Sequence, residues 1–339
     1  MAATLFDGEK TSPCPESSVL GAISSLTVAW IDVALDDPSD ASSDSLLTAI
    51  GIDPSAVRRE LDSDLGFRFT VRSDSLEGAA WADDNDGTPA SPIYLHWNST
   101  RLVTVRIGKA AAVAGVQSQL TQRWAVLRDD PSRLPGLVLD LLSVTVQRGL
   151  MNIGVRIGTL DMDVISTPVP RPDHAAELAR LRKIAQPIAL RYPLYRVNAQ
   201  SGLVDLSGVS GLSTGGVGEL QKFSSAIDGT WQTLQGVIEQ LRNAAQDIQG
   251  QVTAWQGNRI NALTVVTMIF LPISFLTGYF GMNFAWLDDQ LESFGSWVAF
   301  GVVLPVASVI IAAVLLARGG FALDPRRWRS RRRRPPVRT

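Results

Sequence analysis

The sequence predicts an α/β domain on the N-terminal side, then one long helix, then two membrane-spanning helices at the C-terminal end. Three observations carry this. Short stretches of alternating, β-branched and aromatic residues fill the first third of the 339 residues. A seven-residue apolar repeat, free of proline, runs through Ile227, Leu234, Leu241, Ile248 and Trp255. Two charge-free runs follow, the 20 residues 261–280 and the 22 residues 296–317, each long enough to cross a hydrocarbon core of ~30 Å.

Residues 1–20 are rich in small and polar side chains and are expected to be disordered. They lack the apolar core of a signal peptide. Strands are predicted over 26–35, 67–72, 78–82, 93–97 and 102–107, with a helical segment over 45–63 between the first two. Asp83-Asp84-Asn85-Asp86-Gly87 and Asn98-Ser99 carry turn residues between paired strands. From about Ala110 the pattern turns helical, with helices over 135–158 and 174–192 separated by Thr167-Pro168-Val169-Pro170-Arg171-Pro172. The apolar stretch 135–146 is short and interrupted by Asp140, so it reads as a core helix rather than a third span. The glycine-rich stretch 207–218 lacks the Gly-Lys-Ser/Thr ending of a phosphate loop and reads as a flexible connection.

The apolar repeat has a second row, Trp231, Ile238, Ala245 and Val252, the signature of a helix packed along other helices. It runs straight into the first charge-free stretch. One helix over 219–283 would be ~95 Å long at 1.5 Å per residue. A row at seven-residue spacing, Gln246, Thr253, Ile260, Thr267 and Ser274, crosses the membrane boundary. Its polar members suit a water-filled pore. Their hydroxyls can equally bond back to their own helix carbonyls, and the row by itself leaves both readings open.

The formal charge of −2 hides an asymmetry: 318–339 holds nine arginines and one acid, which leaves 22 basic and 32 acidic residues ahead of it, a net of −10. The link 281–295 carries Asp288, Asp289 and Glu292 and no Lys or Arg. By the positive-inside rule the tail, with Arg326, Arg327, Arg329 and Arg331, lies in the cytoplasm. Both termini are therefore expected inside a cell (inner or plasma) membrane, with the 15-residue link outside. The single Cys14 excludes a disulfide framework. His96 and His174 show no metal-ligand spacing, and no nucleophile motif or phosphate loop points to an enzyme. No cofactor and no nucleic-acid partner is expected. At Gly281-Met282-Asn283 the membrane-length helix ends in an amide beside a glycine that bares its carbonyl, an arrangement that can offer oxygens to a hydrated cation.

That tripeptide, closing the pattern LTVVTMIFLPISFLTGYFGMNF over 263–284, resembles the CorA family of divalent-cation channels. The two-span topology, the preceding long helix and the basic tail agree, and the clear resemblance covers 260–334. It implies a homopentamer in the lipid bilayer, with five first spans around a pore, five second spans outside them, and a funnel-shaped αβα domain in the cytoplasm. The implied division is 21–215 for that domain, 216–260 for the stalk, 261–280 and 296–317 for the spans, and 318–339 for the tail. Asn283, with Gly281 and Met282, maps onto the selectivity ring for hydrated Mg²⁺, with Co²⁺ and Ni²⁺ as further cargo. Ile260, Leu263, Thr267, Leu271 and Ser274 map onto pore positions. Among them Leu263 and Leu271 would be constrictions that stop conduction by dewetting. The family closes when intracellular Mg²⁺ binds between subunits. Asp32, Asp36 and Asp37, or Asp83, Asp84 and Asp86, are possible acidic sites, although solvated turns are the commoner use of such clusters.

There are departures from the family pattern. Gln246, with Asp247 one residue on, stands near where the family often has a pore-facing acid. The stretch 166–218 holds only Asp173, Glu177 and Asp205, where relatives carry a very acidic helical pair. Two rival readings remain: a Zn²⁺ transporter of the ZntB branch on the same scaffold, and a membrane-anchored sensor without transport.

Overall fold

The computed structural model describes residues 2–7, 11–14, 29–37, 40–61, 69–84, 90–99, 101–108, 111–204, 206, 208–282 and 294–318. They fall into two compact units, Met1–Thr167 with Arg171–Ile248, and Pro168–Pro170 with Gln249–Thr339.

The first unit is built on a seven-stranded sheet of β1 (Ala2–Phe6), β2 (Thr11–Cys14), β3 (Ala29–Leu35), β4 (Thr70–Val71), β5 (Ser75–Ala82), β6 (Ser91–Asn98) and β7 (Arg101–Ile107). The strand order is β2-β1-β3-β7-β6-β5-β4. Among the described strands only β3 and β7 pair in parallel, with Ala29 opposite Arg101 and Leu35 opposite Ile107. The four strands β4 to β7 form an antiparallel meander. Alternation along each strand sends side chains to two different cores. Ile31, Val33, Leu35, Tyr94, Val103 and Val105 pack under α1 (Ala41–Ala49) and α2 (Pro54–Leu61). Trp30, Ile93, Leu95, Trp97 and Leu102 face the opposite, helical layer. The predicted αβα arrangement is present.

β1 and β2 correct the expectation of a disordered start. Ala3, Leu5 and Phe6 are buried, and Phe6 meets Trp30 and Trp124 edge-on. The apolar side chains that outnumber polar ones in 2–6 find a free edge of β3 to pair with, a partner no local composition reveals. The predicted helix over 45–63 divides in two at Ile50–Asp53, where Gly51 takes φ +84°.

The helical layer holds α3 (Ala111–Gln122), α4 (Trp124–Asp129), a short 3₁₀ turn at Pro131–Arg133, α5 (Leu134–Ser166), α6 (Pro172–Gly202) and the first part of α7 (Thr214–Phe280). The apolar stretch in α5 is long enough for a span, yet 72% of it is buried within the protein. It is a core helix, as its interruption by Asp140 suggests. Proline at 168, 170 and 172 separates α5 from α6 at the predicted place. There His174, 3% exposed, meets the Asp163 carboxylate at 2.9 Å and holds that carboxyl below its ordinary range. α6 runs ten residues beyond the predicted end, through Pro187 and Pro193. Tyr192, Tyr195 and Ala199 are buried on its inner side, and Tyr192 donates to the Ile227 carbonyl at 3.2 Å. Burial of that face outweighs the donors the two prolines lack.

The flexible connection expected over 207–218 is helical from Thr214 onward. Ser213 caps it, its Oγ accepting from the Gly216 N–H at 3.0 Å and donating to Asp130 at 2.6 Å. Ser132 donates to the other Asp130 oxygen at 2.6 Å. A methyl group at Gly216 would lie 2.6 Å from the Ser132 carbonyl oxygen, and one at Gly215 within 2.6 Å of both Arg133 and Asp130. These glycines let the helix start press against the 3₁₀ turn, which is why a glycine-rich run here is not a loose linker.

The heptad row is buried where the layer covers it. Ile227 and Leu234 are fully buried and Leu241 is 5% exposed, while Trp231, Ile238, Ala245 and Ile248 are partly buried against the same core. The covering helices belong to the same chain: Ser143 of α5 bonds Thr230 at 3.1 Å, and Tyr192 of α6 stacks on Trp231.

Candidate functional site

In the second unit α7 continues from Gln249 to Phe280, and α8 (Phe294–Val298), a π-helical turn (Ala299–Val303) and α9 (Leu304–Arg318) follow. The apolar windows of the α7 stretch and of the 294–312 stretch are long enough to cross a membrane, and neither is buried within the chain. Charge-free side chains keep both helical, because backbone groups that bond inside one helix need no water. Pro272 is the one exception along this part of α7, since it cannot donate to the Met268 carbonyl.

Ile260, Leu263, Thr267, Leu271 and Ser274 share one face of α7 by their spacing, and all five are exposed in the single chain, the three aliphatic ones by 63–67%. Val265, Ile269, Pro272 and Leu276, on the opposite face, are half-buried. The candidate row is thus exposed in the single chain, as are Val266, Met268, Phe270 and Phe275 on its flanks. Its hydroxyls bond locally: Thr267 Oγ1 donates to the Leu263 carbonyl at 2.9 Å and Thr253 to Gln249 at 3.0 Å. This satisfies the donor but leaves acceptor lone pairs outward, so both readings of the row are compatible. Gln246 and Asp247 are exposed further back on α7.

At the far end, the Gly281 N–H donates to Thr277 O at 3.0 Å and the Met282 N–H to Tyr279 O at 3.3 Å, which closes the helix. A β-carbon at Gly281 would stand 3.0 Å from the Thr277 oxygen, tighter than ordinary contact. Phe275 and Tyr279 stack one turn before, and Met282 is 46% exposed. Asn283, Asp288, Asp289, Glu292 and the tail arginines Arg326, Arg327, Arg329 and Arg331 lie outside the described residues.

Of the candidate acidic clusters, Asp36 and Asp37 are exposed just past β3 and Asp86 lies outside the described residues, while the other members are tied into the fold. Asp32 is 2% exposed and bound on both oxygens, accepting from Thr104 Oγ1 at 2.8 Å and from Arg106 Nε at 3.0 Å. Trp30 completes this network by donating to Thr104 at 2.9 Å. Asp83 is buried, and its N–H donates to Thr145. Asp84 accepts from the Ala112 N–H at 2.7 Å and so caps α3. The expectation of a solvated turn holds for Asp36 and Asp37 and fails for Asp32, buried in the middle of β3, and for Asp83, buried just past the end of β5. Among the described residues no group of three or more His, Cys, Asp or Glu side chains could hold a metal ion. Sequence reasoning also missed a carboxylate neighbourhood between α5 and α7: burial and then the charge of Asp247 push the Asp161 carboxyl above its ordinary range. Eighty-odd residues separate the two in sequence, so no local pattern signals it.

The family profile described as CorA-like Mg²⁺ transporter protein matches residues 25–318. A putative metal ion transporter of Bacillus subtilis, YfjQ, is 22% identical over 312 residues, covering 85% of this chain and 88% of its own. Among solved structures, the complete CorA magnesium transporter of Methanocaldococcus jannaschii superposes with a TM-score of 0.72 at 18% identity, covering 95% of this chain and 99% of that one. The cytoplasmic domain of ZntB from Vibrio parahaemolyticus gives 0.52 at 11% identity, over 75% of this chain and 98% of that one. The last two likenesses concern the fold. With the profile spanning most of the sequence, the chain belongs to the family of CorA-like Mg²⁺ transporter proteins, which are ion transporters and not enzymes.

Proposed function

We propose that five copies of this chain form a channel that passes hydrated divalent cations, Mg²⁺ first and Co²⁺ and Ni²⁺ with it, into the cell. The observation that carries the reading is the exposed row Ile260, Leu263, Thr267, Leu271 and Ser274 on a membrane-length helix that ends at Gly281-Met282. Five such rows around an axis would line a narrow conduit of alternating apolar and hydroxyl rings. Mg²⁺ releases its waters reluctantly. A ring of Asn283 amides at the outer end therefore suits selection of the hydrated ion, with the Gly281 carbonyl beside it. Leu263 and Leu271 would be dewetting constrictions, and Asp288, Asp289 and Glu292 would concentrate cations outside. Both termini lie in the cytoplasm of the inner or plasma membrane in this reading, with Arg326, Arg327, Arg329 and Arg331 around the inner mouth.

Cytoplasmic Mg²⁺ is proposed as the closing signal, because the −10 net charge ahead of the tail repels between subunits and bridging cations relieve it. Zn²⁺ as the main cargo is the alternative, and a sensor without transport the second. Uptake by the purified chain in liposomes, with Mg²⁺, Co²⁺, Ni²⁺ and Zn²⁺ in competition, separates the three. Preference for Mg²⁺ supports the reading. Zn²⁺ preference or absence of flux replaces it.

A further inference from the structure

α5 and α6 each carry an apolar row that no described residue covers. On α5 it is Val144, Met151, Val155, Met162 and Ile165, 37–76% exposed. Steps of seven, four, seven and three residues give it the spacing of a coiled-coil seam, and it runs ~31 Å at 1.5 Å per residue. On α6 the row is Ala175, Ala179, Leu190, Pro193 and Val197, all exposed, with Arg182 and Gln186 at the same spacing in its gap. A protein that stands alone in water rarely leaves apolar seams of this length bare.

The two rows flank α7 on opposite sides. α5 meets α6 through Arg156 with Glu177 and through Asp163 with His174 at 2.9 Å. It meets α7 through Gly154, where an added β-carbon would stand 3.1 Å from the Gln240 side chain, and through Asp161, which feels the charge of Asp247. At ~100° per residue, the α5 row sits ~80° beyond those α7 contacts, on the side away from α6. α6 meets α7 through Tyr192, and through Arg196 and Gln200, which bond Asp228 at 2.6 and 2.9 Å. Its row sits ~90° beyond those contacts, on the side away from α5. The rows therefore do not meet within one chain.

Across copies they fit. The short link between α5 and α6 puts Met162 and Ile165 at the same end of the pair as Ala175 and Ala179. Copies standing side by side in one direction thus bring bulky side chains of one row against small ones of the other. Charge agrees: Asp161 and Asp247 lie beside the α5 row, Arg182 and Lys183 along the α6 row, and among the described residues none of the four is in an ion pair. Pairing α5 with α5 would leave the α6 row bare in every copy, whereas a head-to-tail contact uses each row once and closes into a ring. The heptad row of α7 is already taken by α5 and α6 of its own chain.

We infer that the α5 row of one copy docks on the α6 row of the next, a second copy of this chain being the occupant of both. The inference rests on the proposed pentamer for the count of five and not on which ion passes.

The test is cross-linking of the full chain in detergent micelles, with Cys14→Ser removing the single native thiol. Met162→Cys with Ala175→Cys, or Val155→Cys with Ala179→Cys, is treated with a short bismaleimide. Either pair is expected to give a ladder from dimer to pentamer on a denaturing gel, and each cysteine alone only monomer. A dimer from Met162→Cys alone would mark α5 against α5 and overturns the inference. So does a pentamer by native mass spectrometry in which both pairs stay monomeric on the gel; that result leaves five copies standing and removes this contact. A ladder that ends at another number keeps the contact and defeats the pentamer. Met162→Lys with Ile165→Lys, both positions being exposed in the single chain, is expected to raise the concentration needed for assembly by about tenfold, with helical content by circular dichroism unchanged. Assembly as firm as the parent's overturns the inference.

Discussion

Arg106 of β7 reaches a carboxylate on the neighbouring β3 that water scarcely touches. Asp32 is 2% exposed, and burial pushes its carboxyl up while Arg106 and Thr104 pull it down. Removing one partner strands the other charge, so Arg106→Met is expected to cost ~3–5 kcal/mol. The double variant Asp32→Leu with Arg106→Met should cost clearly less, because no charge then remains buried. Thermal or denaturant melts of both, compared with the parent, decide whether the pair is structural. At the other end of the chain, Asn283→Ala is expected to reduce Mg²⁺ uptake to background with expression and oligomer size intact. Normal uptake would remove Asn283 from the selective ring. Leu263→Ser is expected to raise flux when internal Mg²⁺ is high, since a hydroxyl ring wets more readily than a leucine ring. If flux stays shut off, Leu263 packs against a neighbouring helix instead.

α7 depends on how it starts as well as on what covers it. Ser213 supplies the cap and Asp130 ties that cap to the preceding turn. Ser213→Ala is expected to cost ~1 kcal/mol, and Gly216→Ala to cost at least that much, because its methyl group would press on Ser132. Partial burial raises the Asp130 carboxyl, but hydrogen bonds from Ser132, Ser213 and Arg133 outweigh it and hold the group below its ordinary value. A depressed carboxyl contributes stability above the unfolded value of about 4 and loses it as pH falls through the folded value. The stability gap between Asp130→Asn and the parent should therefore be full at neutral pH and shrink below about pH 4. A gap that stays constant into acid would mean that the charge of Asp130 contributes nothing. The heptad rows on this helix were legible as rows, but the residues that cover them were not. Tyr192 and Ser143 meet α7 across dozens of residues of intervening chain.

For the molecule as a whole, the proposal of a Mg²⁺-closed pentamer predicts that the intact protein resists proteolysis better in millimolar Mg²⁺ than in EDTA. Identical cleavage in both, with the pentamer retained, would separate transport from this form of control and would fit the sparse acidity of 166–218. What the sequence alone determined is what depends on near neighbours along the chain. The two charge-free runs, the proline break before α6, the meander strands and the closing Gly281-Met282-Asn283 are legible because helix length, backbone donors and strand alternation are local properties. Tertiary structure alone decided the rest. It turned 2–6 into a strand paired between β2 and β3, made close-packing residues of Gly215 and Gly216, and set Asp32 and Asp83 inside the fold. In each case the deciding partner comes from a distant part of the chain. Whether a polar group meets water or another side chain is set by that partner and not by its own neighbours in sequence.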